Sequence, residues 1–518
     1  MKCVVGRRPA VVGNPTLQIL LNLFPEPFDR WNSNFPHLSC NLVLWPTTDG
    51  PDVFMPSYRT AVARMYALGH ELAQTPSHKF DLAHMRVLLA ALENPERRFP
   101  SVLIAGTNGK GSTAATLAAI LQASGLRTGL YTSPHLLRIN ERIQINGEDI
   151  ANDKFALLHD MVERTAERLV EDGELPWHPS FFEMLTAMAF EYFATSKIDV
   201  AVLEVGMGGR LDATNVVEPR VSVITDIALD HQKYLGDTIA EIAREKAGII
   251  RPGGVVVTLP QIPAANDVIG NAVLDLDARA VSAVPYVPPV SPASPNYFES
   301  KPLTTEGAEV AQRSTRAFSR YPLQVMGKQI LVETPLIGRH QLRNIALAIS
   351  AAEELSKQGF AITSDSIERG IRQTRWPGRF QVIPGTADAP EFVLDVAHNP
   401  AGAWALRSAL SSYYEDRRII FVFGAMRDKA IAEIAEILFS LAESVIAASA
   451  ENPRSATPEE VRDAASHTGS EIVAAPNVES ALARARTLAR ADGIIVVTGS
   501  IYLVGEAMRA LGMEPDGK

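Results

Sequence analysis

The sequence predicts an α/β protein, a large and mostly parallel sheet covered by helices, followed by a smaller α/β unit. Three observations lead there. Short apolar runs alternate with stretches of helical period, which is the pattern of a sheet buried on both faces. Several of these runs end directly on glycine-rich or acidic turns, where open α/β sheets hold their ligands. The alternation restarts near residue 376 of 518, and a chain of that length has room for two large domains or about three of ordinary size.

Residues 1–54 hold both cysteines, Cys3 and Cys40, along with Trp31, Trp45 and scattered prolines, and they show no regular period. They read as an extension outside the fold, with Met55 as an alternative initiator. Val62, Met65, Leu68 and Leu72, then Leu82, Met85, Leu88 and Leu89, recur at the spacing of two amphipathic helices. Residues 101–105 form a short apolar strand, 110–123 an Ala/Leu-rich helix closed by Gly125, and 127–132 a second strand. Further buried strands fall at 199–205, 221–226 and 255–259. From about 260 to 321 the chain carries Pro263, Pro285, Pro288, Pro289, Pro292 and Pro295, which predicts a surface loop or insertion that cannot supply a central strand. A helix at 341–357 precedes a second series of strands at 392–396, 419–423, 444–448, 471–474 and 493–498. The expected domains are 55–375 and 376–518.

Composition narrows the function. Hydrophobic residues make up 46% and charged ones 21%, the profile of a globular protein with an ample core. The formal net charge of −10 leaves no basic footprint for a phosphate backbone, so nucleic acid is not an expected partner. No apolar run reaches the length of a membrane span. With no cysteine after Cys40, a disulfide scaffold is excluded for the body of the chain, and a reducing, cytoplasmic compartment fits.

The strongest local motif runs Gly106, Thr107, Asn108, Gly109, Lys110, Gly111, Ser112, Thr113, at a strand-to-helix turn. Backbone amides in such a loop point at phosphate oxygens, the helix N-terminus adds positive potential, and Lys110 supplies a charge for the β- and γ-phosphates. Ser112 or Thr113 can hold Mg²⁺. The position six before Lys110 is Ile104, so the spacing departs from the usual Walker pattern. Glu204 leaves the end of a buried strand beside Gly206, Gly208 and Gly209 and is a candidate oxygen ligand for Mg²⁺. Asp230 and His231 follow another strand end. Lys246 has two readings: a solvated lysine paired along its helix, or a buried amine able to take up CO₂ as a carbamate. Asp395 and His398, Gly424, and Gly499 with Ser500 leave three strand ends of the second unit, together forming a ligand-facing rim.

Taken in order, these segments resemble the Mur ligase superfamily, and within it the folylpolyglutamate synthase/dihydrofolate synthase family. The resemblance covers residues 58–511 apart from the proline-rich stretch. It is carried by GTNGKGS at 106–112, TSPHL at 132–136, NERI at 140–143, EVGMGGRLDATN at 204–215, DH at 230–231, EKAGII at 245–250, GRHQLRN at 338–344, PGRFQ at 377–381, DVAHNP at 395–400 and GSIYLVGE at 499–506. It implies a Mur ligase-like fold, with a large P-loop ATPase domain and a C-terminal α/β domain. It also implies an ATP-dependent ligase joining L-glutamate to a folate or dihydropteroate carboxylate through an acyl phosphate. Lys110 and its loop, with Asn344, Arg379, Asp395 and His398, would hold ATP. Ser112, Ser133, Glu204, His231 and a carbamylated Lys246 would hold Mg²⁺, two ions in all, and Asp212 and Ala213 would lie near the pterin. Lys110, His231 and Lys246 are the expected catalytic residues, in a cytoplasmic monomer with small-molecule partners only. Gly111 and Ser112 stand where muropeptide ligases typically carry Thr-Thr, which favours the folate branch. A muropeptide ligase and a P-loop NTPase regulatory module are the other readings. The family's Asp-Lys-Asp segment appears here as Asp428, Lys429, Ala430, and the second acid is missing.

Overall fold

Eight short strands make the first sheet: β1 (Ser101–Ala105), β2 (Thr128–Tyr131), β3 (Ile143–Ile145), β4 (Glu148–Asp149), β5 (Val200–Glu204), β6 (Val221–Ile224), β7 (Val255–Thr258) and β8 (Arg279–Ser282). Their order is β4-β3-β2-β5-β1-β6-β7-β8. The computed structural model describes residues 56–69, 81–289 and 319–513. Chain contacts divide the protein into units 1–54 and 55–518. The first unit, with the expectations made for it, lies outside the described residues.

The central strand β1 shows why the sheet forms. It pairs in parallel with β5 and β6, and all five of its residues are buried. Because side chains alternate, Leu103 and Ala105 enter one core cluster while Val102 and Ile104 enter the other. Each such side chain, fully buried, contributes roughly 2 kcal/mol. One face is covered by helices Tyr58–Ala67, Leu82–Ala91, Asn152–Glu171, Phe181–Thr195 and Ile239–Ala247, and the other by Lys110–Ala123, Arg339–Lys357 and Ser364–Gln373. A separate antiparallel pair, β9 (Ser319–Val325) and β10 (Lys328–Thr334), packs on that second face.

The second sheet contains β11 (Gln381–Ile383), β12 (Glu391–Leu394), β13 (Ile419–Phe423), β14 (Ser444–Ala447), β15 (Ile472–Ala474) and β16 (Ile494–Thr498), in the order β11-β12-β16-β13-β14-β15. Only β11 is antiparallel to its neighbour. Helices cover both of its faces, so each face has its own apolar cluster.

The loop expected across residues 260–321 needs correction. Residues Pro263–Asp275 are a helix, and β8 adds a parallel edge strand beside β7. Pro263 stands in the first turn, where its missing N–H removes no helical hydrogen bond, so the proline starts this helix instead of breaking it. Residues 290–318 lie outside the described part. Pro322 sits within β9, in a two-stranded pair that has edges on both sides.

Two helical glycines should respond in opposite ways to alanine. A Cβ on Gly370 would lie 2.4 Å from the Ile120 Cα of the helix that follows the glycine-rich loop, whereas one on Gly270 meets nothing within 4 Å. Gly370→Ala should therefore lower unfolding stability by about 2 kcal/mol, and Gly270→Ala should raise it by about 0.5 kcal/mol. Urea midpoints of the two variants check this, and shifts of the same sign would contradict it.

Candidate active site

The glycine-rich loop joins β1 to the helix Lys110–Ala123. Gly109 caps that helix at φ 89°, with no side-chain cap, so the first-turn amides remain available to a ligand. A side chain at Gly109 would also strike Asn344, whose Oδ1 lies 2.1 Å from where a Cβ would stand. The loop is pinned from below. Thr107 N and Asn108 N donate to the Asp226 carbonyl at 2.9 and 3.1 Å, and the Asp226 carboxylate accepts from Arg343 Nε at 3.0 Å and Nη2 at 2.6 Å.

Two lysines converge on one carbonyl. Lys110 Nζ donates to Gly106 O at 3.1 Å and to Thr107 O at 3.2 Å, while Lys246 Nζ, on the helix Ile239–Ala247, donates to Gly106 O at 2.7 Å. Lys246 is only 4% exposed, and burial, reinforced by the Lys110 charge, pulls its pKa down to about 7. This disposes of the solvated reading of Lys246. Glu204 ends β5, and its buried carboxyl is pushed up to about 7, with the Lys110 charge and the Ser133 N–H at 3.3 Å opposing the shift. Burial lowers His231 to about 3, so its imidazole is neutral, and its Nδ1 is buried with no hydrogen-bond partner. A carboxylate, serine hydroxyls and an imidazole with an orphaned nitrogen form a donor set suited to a hard divalent cation.

Two cavities meet here. One, of about 300 Å³, is lined by Gly106, Thr107, Asn108, Gly109, Lys110, Gly111 and Ser112, with Glu204, Lys246, Asn344, Asp395 and His398. The other, of about 340 Å³, takes in Asp212, Ala213, Phe182 and Tyr502. Ser133, the backbone at Gly206, Met207 and Gly208, His231, Arg379 and His398 line both. Thr113 and Gly424 are the expected residues that line neither; Thr113 is fully buried beneath the loop, and Gly424 is buried as well.

Two of the acids are engaged by backbone amides. Asp395 accepts from Phe380 N at 2.8 Å and Ala397 N at 2.9 Å, and Asp212 accepts from Thr214 N and Met207 N, both at 3.0 Å. The sequence reading overlooked a cluster centred on Asp230. Its carboxylate accepts from Lys429 Nζ at 2.6 Å and Asn399 Nδ2 at 3.1 Å and faces His398 Nε2 at 3.5 Å. Burial alone would raise this carboxyl, but the His398 hydrogen bond and the Lys429 charge hold it far below the usual carboxylate range. Asn399 Nδ2 also donates to Asn108 Oδ1 at 3.0 Å, tying the second sheet's rim to the loop. Asp230 and Asn399 lie within the DH and DVAHNP segments, but nothing local marks them as partners. Trp376 was also missed, and its indole packs directly against Gly111. Asp428 pairs with Arg454 at 2.8 Å, and Ala430 stands at the uncapped start of the helix Ile431–Leu438.

Comparisons with known proteins bear on the family and the fold. Residues 183–352 match the family described as Mur ligase middle domain, and residues 378–501 match the one described as Mur ligase, glutamate ligase domain. The dihydrofolate synthase/folylpolyglutamate synthase of Bacillus subtilis is 33% identical over 435 residues, 83% of this chain and 94% of that protein. The folylpolyglutamate synthase of Lacticaseibacillus casei is 35% identical over 468 residues, 88% of this chain and 99% of that one. Among solved structures, Mycobacterium tuberculosis folylpolyglutamate synthase complexed with ADP and AMPPCP superimposes with a TM-score of 0.73 at 32% identity, covering 88% of this chain and all of that one.

The Lys429–Asp230 pair can be tested directly. Its side chains are 9% and 7% exposed, so Lys429→Met leaves an uncompensated buried carboxylate. The variant should lose about 3 kcal/mol of stability, read by chemical denaturation at pH 7. An unchanged midpoint would show that the carboxylate is solvated once its partner is gone.

Proposed function

This chain belongs to the folylpolyglutamate synthase/dihydrofolate synthase family, an ATP-dependent ligase family, and on that premise we propose how its residues divide the work. ATP occupies the cavity at the glycine-rich loop, and the folate or dihydropteroate acid occupies the adjoining one. The observation that carries this reading is the shared wall, where Ser133, residues 206–208, His231, Arg379 and His398 face both cavities. At the junction those residues line, a γ-phosphate in one cavity meets a carboxylate reaching in from the other.

A carboxylate is a poor acyl donor. Its oxygen attacks the γ-phosphorus, ADP leaves, and an acyl phosphate forms; the L-glutamate amine then attacks the acyl carbon, loses a proton and expels phosphate. Lys110 and the loop amides neutralise charge on the transferring group, the largest contribution in phosphoryl transfer. Asn344, Arg379 and His398 hold the nucleotide, and Asp395 fixes the backbone beside Arg379 and His398 by accepting from Phe380 N and Ala397 N. Asp212 shapes the turn beside Ala213 against which the pterin-bearing acid lies. Mg²⁺, as two ions, would be held by Ser112, Ser133, Glu204, His231 and carbamylated Lys246, and when bound would supply Lewis-acid neutralisation of the phosphoryl oxygens. The depressed pKa of Lys246 supports carbamylation, because only the neutral amine adds CO₂. Contact between the two sheets around Asp230 excludes water from the acyl phosphate. We further propose that the enzyme accepts both dihydropteroate and tetrahydrofolate as acids. It would act as a cytoplasmic monomer without nucleic-acid partners, in keeping with its acidic balance; no helix among the described residues is long and apolar enough to cross a membrane.

Lys110→Ala should keep the fold and lose about 10³-fold in kcat for ADP formation, since it removes a charge used in the transition state. Near-normal turnover by the folded variant would remove Lys110 from the reaction.

ADP release should require both a pteroyl or folyl acid and L-glutamate, with D-glutamate and meso-diaminopimelate inactive, and the product should be one glutamyl unit heavier by mass. Turnover with only one of dihydropteroate and tetrahydrofolate would restrict the enzyme to a single synthase step. ADP release supported by a uridine-diphosphate muropeptide and by neither pterin would overturn the folate assignment.

A further inference from the structure

The acids that line the nucleotide cavity are Glu204, Asp226, Asp230 and Asp395. A triphosphate carries several negative charges, so each acid on that wall opposes its entry unless something neutralises it. Burial pushes the Glu204 carboxyl up to about 7, Asp230 is met by Lys429, and Asp395 accepts from Phe380 N and Ala397 N. Asp226 is met differently. Its carboxylate takes a fork of hydrogen bonds from Arg343, with Nε 3.0 Å from Oδ2 and Nη2 2.6 Å from Oδ1. Arg343 itself does not line the cavity, so whatever it does to the anion it does through Asp226.

The backbone explains why Asp226 cannot simply turn away. Its carbonyl accepts from Thr107 N and Asn108 N, and Thr107 Oγ1 donates to the Ala228 carbonyl at 3.0 Å, so residues 226–228 are the floor on which the glycine-rich loop rests. From the other side Gln261 holds the same segment, accepting from Ile227 N at 3.0 Å and donating to Thr225 O at 3.3 Å. Asp226 is the one charged residue in 225–228, and it faces the anion's cavity. Arg343 is fixed in its turn. Its Nη2 also donates to the Pro260 carbonyl at 3.0 Å, and it directly precedes Asn344, whose side chain abuts Gly109. Consecutive helical residues point about 100° apart. One turn of the helix Arg339–Lys357 therefore reaches the loop at two places, at Gly109 through Asn344 and beneath Thr107 and Asn108 through Asp226. A planar guanidinium engaged on the carboxylate and on a carbonyl keeps one orientation, which a lysine would not.

We propose that Arg343 is a positioning residue that masks the Asp226 charge at the wall of the nucleotide cavity and so sets the affinity of that cavity for a triphosphate. This rests on the assignment of ATP to the cavity at the glycine-rich loop. The two side chains are 32% and 34% exposed, and an ion pair so placed contributes little to folding, so its removal leaves the chain folded.

Calorimetric titration of the full-length chain with AMPPCP in the presence of Mg²⁺, alongside steady-state kinetics with ATP, tests it. Arg343→Ala should raise the AMPPCP Kd and the ATP KM about tenfold, while kcat and the KM for the pteroyl acid change far less. Adding Asp226→Asn on that background removes the unmasked charge and keeps the shape, and should bring both values back close to wild type. A purely structural role for Arg343 would gain nothing from that second change. Arg343→Lys, which keeps a charge and loses the fork, should fall between wild type and Arg343→Ala. An unchanged AMPPCP Kd in the folded Arg343→Ala variant, or a double variant that binds no better than the single one, overturns the masking role and leaves the ATP assignment standing. Wild-type chain that neither binds AMPPCP nor turns over ATP overturns that assignment and the proposal together.

Discussion

A carboxylate buried where two sheets meet has to find partners, and Asp230 finds them on the opposite side of the cleft. It follows the end of β6 in the first sheet, yet besides the local His231 N–H its hydrogen bonds come from Lys429 and Asn399, and its charge faces His398, all three beyond residue 390. Leaving such a group unpaired costs several kcal/mol, so bringing the two rims together and satisfying Asp230 are a single event. Asn399 extends the tie to Asn108 of the glycine-rich loop. The loop that cradles the anion, the strand end that supplies Asp230 and His231, and the second sheet's rim are therefore held in one register. Every shared wall residue depends on that register.

Much of this was legible because the signals are local. β1 and β13 coincide with the apolar runs at 101–105 and 419–423, and the helix Lys110–Ala123 begins at the lysine of the loop and ends where Gly125 predicts. These elements are buried on both sides, so their sequence shows it directly. The pieces that escaped are those whose reason lies elsewhere in the chain. β3 and β4 have three and two residues, too few to display a period, and form only because β2 offers an edge. The helix Pro263–Asp275 was hidden by prolines whose average says loop while the placement of Pro263 says helix start. Asp230 and Lys429 are 199 residues apart, and no local pattern pairs them. Nor can sequence distinguish an acid that faces a ligand from one that holds nearby backbone. Asp395 and Asp212 look like Glu204 in the chain, but their oxygens are already occupied by backbone amides.

Charge in the loop is arranged ahead of any ligand. Lys110 and Lys246 both donate to the Gly106 carbonyl, and their mutual repulsion together with burial lowers Lys246 to about 7. Burial and the Lys110 charge favour the neutral amine of Lys246, which leaves the Lys110 charge to meet an anionic group entering the cavity. Glu204, held near 7 by the same burial, gains in turn from any cation that follows the anion in.

The wall between the two cavities carries a further constraint. Amide ligation through an acyl phosphate needs the carboxylate oxygen and the γ-phosphorus within roughly 3–3.5 Å of each other, so nothing bulky can stand between them. Residues 206–208, which line both cavities, follow directly from β5 and Val205, and two of the three are glycines. A Cβ at Gly206 would collide with Phe182, and one at the following Gly209 would lie 2.8 Å from the Glu245 carbonyl. The segment is pressed from behind by the helix that carries Lys246 and from the front by Phe182. The same glycines that look like a flexible turn in the sequence are, in the folded protein, held by close packing at the junction where the two cavities meet.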